Sequence, residues 1–185
     1  DVVLVSAPLL IAVVVAARVT GDRLAAAVGL RGFSWIDVVA GLGVGLAARG
    51  LVEVVAPTAG GVGGAMLGDA SDVMAATIVA LAGAVLVTPV VEELFFRGLL
   101  QRALGDAIAD AGKWVGGVVA VLFATAIFTG LHALAAGEFV PVGLLLGTLA
   151  VGLGCGFLTL LTGRLAGALI AHVVFNAIGA ALLIW

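Results

Sequence analysis

The last forty-six residues, VPVGLLLGTLAVGLGCGFLTLLTGRLAGALIAHVVFNAIGAALLIW (140–185), decide the fold because they contain a single charged side chain, Arg164. A transmembrane helix needs about 20 mostly apolar residues, and the runs 140–161 and 165–185 on either side of Arg164 have that length. The whole chain of 185 residues continues this pattern, with 64% hydrophobic and 10% charged residues, whereas soluble domains average about 45–50% and about 25%. The composition predicts an integral membrane protein.

Apolar runs of similar character recur upstream, and we predict further spans at residues 2–17, 38–56, 73–91 and 115–134. The segment 92–108 is compatible with a helix but is amphipathic, since it carries five charged side chains. We therefore predict an all-α fold, a polytopic transmembrane helical bundle of about six spans plus an amphipathic, motif-bearing helix. It is predicted to form a single membrane domain over residues 1–185, with the motif-bearing core at about 73–185.

Charge and cysteine content exclude several classes of function. The net charge is −3 and the eight Lys and Arg residues form no cluster, so nucleic-acid binding is not expected. The single cysteine, Cys155, rules out a disulfide framework and a CxxC metal site. Cys155 lies in a glycine-rich run, where small residues allow helices to approach closely, and we interpret it as a packing residue.

The distribution of basic residues predicts how the chain is oriented. Seven of the eight lie in alternate connections between the predicted spans, and Arg49 lies within a span. These connections contain Arg18, Arg23 and Arg31, then Arg97, Arg102 and Lys113, then Arg164. By the positive-inside rule they face the cytoplasm and the amino terminus lies outside.

Placing a charged side chain in the membrane core costs free energy, so a charged residue within a predicted span indicates a functional site. In EELFFR (92–97), Glu93 and Arg97 have the i, i+4 spacing and the order favoured for a helical ion pair. Glu92 points about 100° away around the helix, so the same arginine cannot pair with it. Glu92 is therefore a candidate general base. The alternative interpretation is an acidic pair at the membrane interface, solvated by headgroups and water.

Polar residues lie in two further predicted spans: His132 in FTGLH (128–132), and the pair His172 and Asn176 in HVVFN (172–176). Each could be a hydrogen-bonded residue of helix packing. Together with the adjacent glutamates, however, they include both histidines and the only Asn of the chain, which favours one shared site. Arg49 and Glu53 also have i, i+4 spacing, and we interpret them as an ion pair inside the bundle rather than a substrate contact.

These side chains are the parts of a hydrolase that activates water. Glu92 could deprotonate water that His132 holds, and His172 and Asn176 could donate hydrogen bonds to the oxyanion of a tetrahedral intermediate. Alternatively, Glu92, His132 and His172 could bind a divalent metal such as Zn²⁺. No HExxH motif is present, and no Ser or Cys has a plausible base nearby to make it a nucleophile.

The motifs EExxxR, FxxxH and HxxxN, in this order and in membrane helices, resemble the CPBP family of CAAX proteases and bacteriocin-processing proteins, also called Abi. The resemblance covers Glu92 to Asn176 and implies an all-helical intramembrane endopeptidase similar to the CAAX prenyl endopeptidases, with a cavity facing the cytosolic side. It implies that Glu92 and His132 activate water and that His172 and Asn176 stabilise the oxyanion. Supporting positions are Glu93, Arg97 and Phe128. Family members are named metalloproteases, and the sequence leaves the need for a metal open.

The favoured function is hydrolysis of a peptide bond in a membrane-associated peptide or protein, by CAAX-type or related processing. The alternatives are a non-catalytic protein of the same family, giving bacteriocin immunity or acting as a membrane interaction module, and a transporter with a proton relay. The expected partners are the lipid bilayer and a peptide or protein substrate, with its lipidation left open. A prokaryotic cell membrane is the expected location, and no oligomeric state is predicted.

The simple arrangement of spans raises one conflict. In six alternating spans Glu92 lies at the inner end of one helix and His132 near the outer end of the next, and the membrane core between those levels is about 30 Å thick. Shifted helix boundaries, a break at Pro89, or insertion of residues 92–108 into the membrane would bring them together.

Overall fold

A computed structural model gives the fold and describes residues 2–20, 25, 28–30, 32–58 and 71–184. Within these residues there is no strand, which confirms the predicted all-α class. The α-helices are α1 (Val2–Thr20), α2 (Trp35–Val55), α3 (Ser71–Ala82), α4 (Thr88–Glu93), α5 (Gln101–Ala107), α6 (Lys113–Ala136), α7 (Val142–Thr162) and α8 (Ala166–Ile184). Two π-helical turns, Gly83–Val87 and Leu94–Leu100, and a 3₁₀ turn, Ala109–Ala111, complete the helical elements.

Five of the described helical stretches are long and apolar enough to cross a membrane, and α1 adds the shorter apolar stretch Ser6–Val19. The five are Trp35–Val55, Ala75–Ala107, Lys113–Ala136, Val142–Thr162 and Ala166–Ile184. Only 22–39% of each span is buried inside the bundle, so apolar side chains also cover its outer surface, as expected of helices that face lipid. The chain is thus a multi-pass integral membrane protein, consistent with about six membrane helices.

The predicted span 73–91 and the predicted amphipathic segment 92–108 are one continuous helix. It runs through α3, the first π turn, α4, the second π turn and α5, and we call it the motif helix. Pro89 does not break it, although proline has no N–H and its ring crowds the carbonyl four residues earlier. The reason is that the π turn Gly83–Val87 lies directly before α4, and a wider turn of this kind accommodates such a local mismatch.

Side-chain contacts establish the direction of each helix relative to the motif helix. On α7, the carbonyls of Gly152 and Gly156 accept hydrogen bonds from Arg97 and Gln101, in the same order along both helices, so α7 runs parallel to the motif helix. On α8, His172 contacts Glu93 and Asn176 contacts Ala84, in opposite order, so α8 runs antiparallel. The polar motifs of the motif helix and α8 therefore face one another.

Glycines bring α2 and α8 close together. A Cβ atom at Gly41 would lie 2.6 Å from the Gly167 carbonyl oxygen, and one at Gly45 would lie 2.6 Å from the Ala171 oxygen. Both distances are far below normal contact, so only glycine permits this backbone approach, a common device of membrane helices. The contact places α2 against the face of α8 that carries the HxxxN motif.

Two of the basic connections, those with Arg102 and Arg164, lie together at one end of the bundle, which we call the basic end. Arg102 at the start of α5 donates to the carbonyl of Gly163, between α7 and α8. Arg164 donates from Nε to both carboxylate oxygens of Asp37 at the start of α2, at 3.1 and 2.8 Å. This contact raises the pKa of the Arg164 guanidinium. Arg102 and Arg164 thus lie at one end of the bundle, as the charge pattern predicts. The placement of Arg97 in the same connection as Arg102 is wrong, because Arg97 is buried within the span Ala75–Ala107, and Arg23 and Arg31 lie outside the described residues.

Candidate active site

Three of the predicted catalytic side chains meet inside the bundle, each from a different helix. The Oε1 atom of Glu92, on α4, lies 3.7 Å from Nε2 of His132 on α6. Its Oε2 atom lies 3.7 Å from Nε2 of His172 on α8. The two imidazoles therefore flank one carboxylate, with each carboxylate oxygen facing a different ring.

The continuous motif helix removes the conflict in depth between Glu92 and His132. Glu92 precedes the end of the motif helix at Ala107 by 15 residues, and His132 follows the start of α6 at Lys113 by 19 residues. At 1.5 Å per residue these positions lie about 22 and about 28 Å from the turn that joins the two helices. The expectation that a rigid bundle would keep them apart is wrong, because Glu92 lies in the middle of a long helix and not at its end.

Glu93 connects Arg97 to His172 in the most deeply buried part of the site. Glu93 and Arg97 are 0% and 1% exposed. Nη1 of Arg97 donates to Glu93 Oε1 at 2.9 Å, which is the ion pair that the sequence predicts. The same oxygen accepts a hydrogen bond from Nδ1 of His172 at 2.8 Å. Because Nδ1–H is held in this way, Nε2 of His172 is directed at Glu92.

His132 is oriented by its own helix. Its Nδ1 atom lies 2.9 Å from the backbone oxygen of Phe128, one turn earlier. A carbonyl oxygen only accepts, so Nδ1 carries the hydrogen and Nε2 of the neutral ring keeps a lone pair toward Glu92. The ring of Phe128 supports both histidines, with centroids 4.4 Å from His132 and 5.8 Å from His172. The FxxxH motif thus supplies both the imidazole and the apolar surface beneath it.

Asn176 borders the same cavity as Glu92 and the two histidines, and it also links two helices. Its Nδ2 atom donates to the backbone oxygen of Ala84, in the first π turn of the motif helix, at 3.0 Å. A carboxamide has two N–H donors, so this bond occupies one of them. The interpretation of Asn176 as a residue that joins helices is therefore correct for this contact, and one N–H remains for another acceptor.

A cavity of about 600 Å³ contains the four predicted catalytic residues on its wall, a volume within the range of about 300–1,000 Å³ that is usual for ligand sites. Its lining continues to Ala56, Thr58, Pro141 and Leu183, near the ends of α2 and α8 and the start of α7. These positions are opposite the basic end. The positive-inside rule predicts a cytoplasmic basic end, which would direct the cavity away from the cytosol. The family resemblance implies a cavity that faces the cytosolic side. These two predictions therefore exclude each other.

A family model described as "Type II CAAX prenyl endopeptidase Rce1-like" matches residues 74–178, more than half of the chain. The chain belongs to the Rce1-like family. The match confirms the resemblance to CAAX proteases and spans all three motifs, from Glu92 to Asn176. No curated protein and no solved structure matches the chain. As the Rce1-like proteins are a protease family, peptidase activity is the function that the match supports.

The predicted metal ligands of this Rce1-like protein, Glu92, His132 and His172, lie together on the cavity wall. Among the residues that the structure describes, no set of three His, Cys, Asp or Glu side chains is arranged to hold a metal ion. One carboxylate oxygen of Glu92 lies 3.7 Å from Nε2 of His132, and the other lies 3.7 Å from Nε2 of His172. A divalent metal held by these three residues therefore stays a prediction, and we derive no reaction step through a metal.

Arg49 is a cavity residue whose position the sequence does not predict. Its ion pair with Glu53 is present as expected, and Thr58 bonds to both side chains. The guanidinium also borders the Rce1-like cavity and lies 5.3 Å from the ring centroid of Phe175 on α8. The only sequence signal was a charge within a span, and that signal does not distinguish an internal ion pair from a cavity wall.

Proposed function

We propose that this Rce1-like protein is an intramembrane endopeptidase that hydrolyses a peptide bond in a membrane-associated peptide or protein, by CAAX-type or related processing. The observation that carries the proposal is the environment of Glu92. It is 3% exposed, borders the cavity, and has two imidazoles and no lysine or arginine as ion-pair partners within the described residues. A carboxylate without a fixed cation is free to exchange a proton.

In the proposed reaction, Glu92 is the general base. A water molecule between Glu92 and His132 would donate one hydrogen to the carboxylate and the other to Nε2 of His132. As the water oxygen attacks the carbonyl carbon, Glu92 takes one proton. Collapse of the tetrahedral intermediate breaks the C–N bond, and Glu92 returns that proton to the leaving amine. General acid–base catalysis of this kind typically contributes about 10²–10⁴-fold to the rate.

His172 and Asn176 are proposed to stabilise the oxyanion. The Glu93 carboxylate accepts the hydrogen of Nδ1 of His172, so a doubly protonated ring would present its Nε2–H to the oxyanion. The second N–H of the Asn176 carboxamide supplies another donor. Removing a single oxyanion donor typically costs about 10²–10³-fold in rate, so His172→Ala and Asn176→Ala are both expected to slow cleavage strongly.

The proposal is tested by comparing wild-type protein with Glu92→Gln in cleavage of a peptide library, using purified protein in lipid vesicles. Glutamine keeps the size of the side chain and removes its basicity, so cleavage is expected to fall to background. Asp106→Asn is the matched control, because it removes a carboxylate from the same helix outside the catalytic cavity. Thermal unfolding verifies that both variants fold. Equal cleavage by Glu92→Gln and wild type would contradict the proposal and favour a non-catalytic role.

A further inference from the structure

A second cavity, of about 350 Å³, lies at the basic end between α5, α6 and α7. Its volume is within the range that is usual for ligand sites. None of the described residues that line it also lines the catalytic cavity. The two cavities are therefore separate, and the proposed reaction makes no use of this one.

Three charged side chains border the second cavity, and we call Arg102, Asp106 and Lys113 its charged rim. Arg102 is held in place by its hydrogen bond to the carbonyl of Gly163, at 3.1 Å. Asp106 and Lys113 are exposed, and neither has an ion-pair partner among the described residues. Opposite charges thus border one cavity without pairing with each other, which suits a ligand that carries both an anion and a cation.

The lining becomes apolar with distance from the charged rim. Gly117 and Ala120 also border the cavity, and they lie about 6 and about 10 Å further along α6 than Lys113. Leu160 of α7 closes this part, since a Cβ atom at Gly117 would lie 2.4 Å from its Cδ1 atom. A free phosphate would leave the apolar part unfilled, whereas a phospholipid places glycerol and acyl chains directly below its headgroup.

Exposed tryptophans place the charged rim at the level of the lipid headgroups. Trp114 follows Lys113 directly and is 61% exposed. Trp35 is 70% exposed and begins α2, close to the Asp37–Arg164 pair of the basic end. Tryptophan is enriched where membrane and water meet, so a cavity at this level opens beside phosphate groups of the bilayer.

We propose that the second cavity binds the headgroup of a phospholipid that carries a primary ammonium group as well as its phosphate. Arg102 and Lys113 bind the phosphate, as basic pockets between transmembrane helices do. Asp106 pairs with the ammonium and repels headgroups that are only anionic. The glycerol part of the lipid extends toward Gly117 and Leu160. The inference concerns lipid binding alone and does not rest on the proposed peptidase function.

The test measures which lipids the purified full chain retains in mixed micelles, by native mass spectrometry. The micelles contain equal amounts of phosphatidylethanolamine and phosphatidylglycerol with identical acyl chains. Wild type is expected to retain about 2- to 5-fold more phosphatidylethanolamine, the range of an exposed charge pair. Lys113→Met should lower the retention of both lipids, and Asp106→Asn should abolish the preference between them.

Matched controls remove an exposed charge of the same sign outside both cavities. They are Arg18→Met, at the end of α1, and Asp110→Asn, four residues after Asp106. Both should retain lipid as wild type does. If Arg18→Met lowers retention as much as Lys113→Met, general attraction to the protein surface explains the binding and the inference is overturned.

A variant that fills the cavity tests the place of binding while every charge is kept. A Cβ atom at Gly105 would have its nearest neighbour at 3.9 Å, so α5 accepts a side chain there, and Gly105→Leu directs it into the cavity. Retention of phosphatidylethanolamine should fall at least as far as in Lys113→Met. If Gly105→Leu fails to unfold cooperatively on heating, Ala109→Leu, at another lining position, serves in its place.

Three further results would overturn the inference. Unchanged retention in the filled variant would place the lipid on the outer surface of the bundle. Retention of phosphatidylglycerol equal to or above that of phosphatidylethanolamine would exclude a role for the ammonium group. Glycerophosphoethanolamine, the soluble headgroup without acyl chains, should not raise the unfolding temperature at concentrations where the lipid does. An equal increase would show that the cavity binds a soluble phosphate ester and not a lipid.

Discussion

Replacing Glu93 by glutamine is expected to destabilise the protein strongly, because it leaves Arg97 as a buried and uncompensated cation. Arg97 is 1% exposed and its bond to Glu93 is 2.9 Å long. Removing one partner of a buried ion pair typically costs about 3–5 kcal/mol. The hydrogen bond from His172 contributes less to this loss, since the carbonyl oxygen of glutamine can still accept it. We expect the free energy of unfolding to fall by about 3–5 kcal/mol.

The measurement is reversible unfolding in mixed micelles, followed by tryptophan fluorescence, for Glu93→Gln and for Glu53→Gln. Glu53→Gln makes the same chemical change in a pair whose side chains are 13% and 26% exposed. Solvent and cavity polarity screen the arginine that is left without its partner, so the free energy of unfolding should fall clearly less than in Glu93→Gln. A double-mutant cycle with Arg97→Met isolates the energy of the pair. If Glu93→Gln loses less than about 1 kcal/mol, or no more than Glu53→Gln, then burial does not raise the cost of breaking the Glu93–Arg97 pair.

Three further predictions concern orientation, packing and metal. Thr58→Cys and Arg164→Cys, each made in a Cys155→Ala background, probe the two opposite ends of the bundle. An impermeant thiol reagent should label Thr58→Cys from outside intact cells and Arg164→Cys only after permeabilisation. The reverse pattern of labelling would place the cavity on the cytoplasmic side. Gly45→Ala should lower the free energy of unfolding by about 1–3 kcal/mol, because the new Cβ atom would lie 2.6 Å from the Ala171 oxygen. Gly43→Ala has open space around it and should be neutral or stabilising. Equal effects of the two variants in thermal unfolding would refute the close approach of α2 and α8. In the proposed reaction Glu92 takes the proton of water and no step uses a metal, so dialysis against EDTA should leave the initial rate of peptide cleavage unchanged. Recovery of a lost rate on adding Zn²⁺ would contradict the proposed reaction.

Local spacing was sufficient to predict the parts of the site that lie on one helix. The Glu93–Arg97 pair follows from an i, i+4 separation, and it is present at hydrogen-bond distance. The all-α membrane fold and the family could likewise be predicted, from the apolar runs and from three short motifs in order. These features depend only on neighbouring residues, which a sequence displays directly.

Contacts between helices could not be predicted in the same way. The bond from His172 to Glu93 joins residues 79 positions apart, and it depends on how α8 packs against the motif helix. The depth of Glu92 depends on whether Pro89 ends a helix, and the π turn before α4 decides this through backbone geometry. The place of Arg49 on the cavity wall depends on the close packing of α2 and α8. Each of these features depends on how the chain folds in three dimensions, which local spacing in the sequence does not display.

The length of the motif helix links the reaction centre to the thickness of the bilayer. Its apolar span, Ala75–Ala107, contains 33 residues and is about 50 Å long, whereas the hydrocarbon core is about 30 Å thick. A helix that exceeds its membrane tilts or protrudes to accommodate the mismatch. Glu92 and Glu93 lie near its middle, so a change of tilt turns both carboxylates relative to the histidines on α6 and α8. Acyl-chain length of the surrounding lipids is therefore a variable that acts on the catalytic geometry itself.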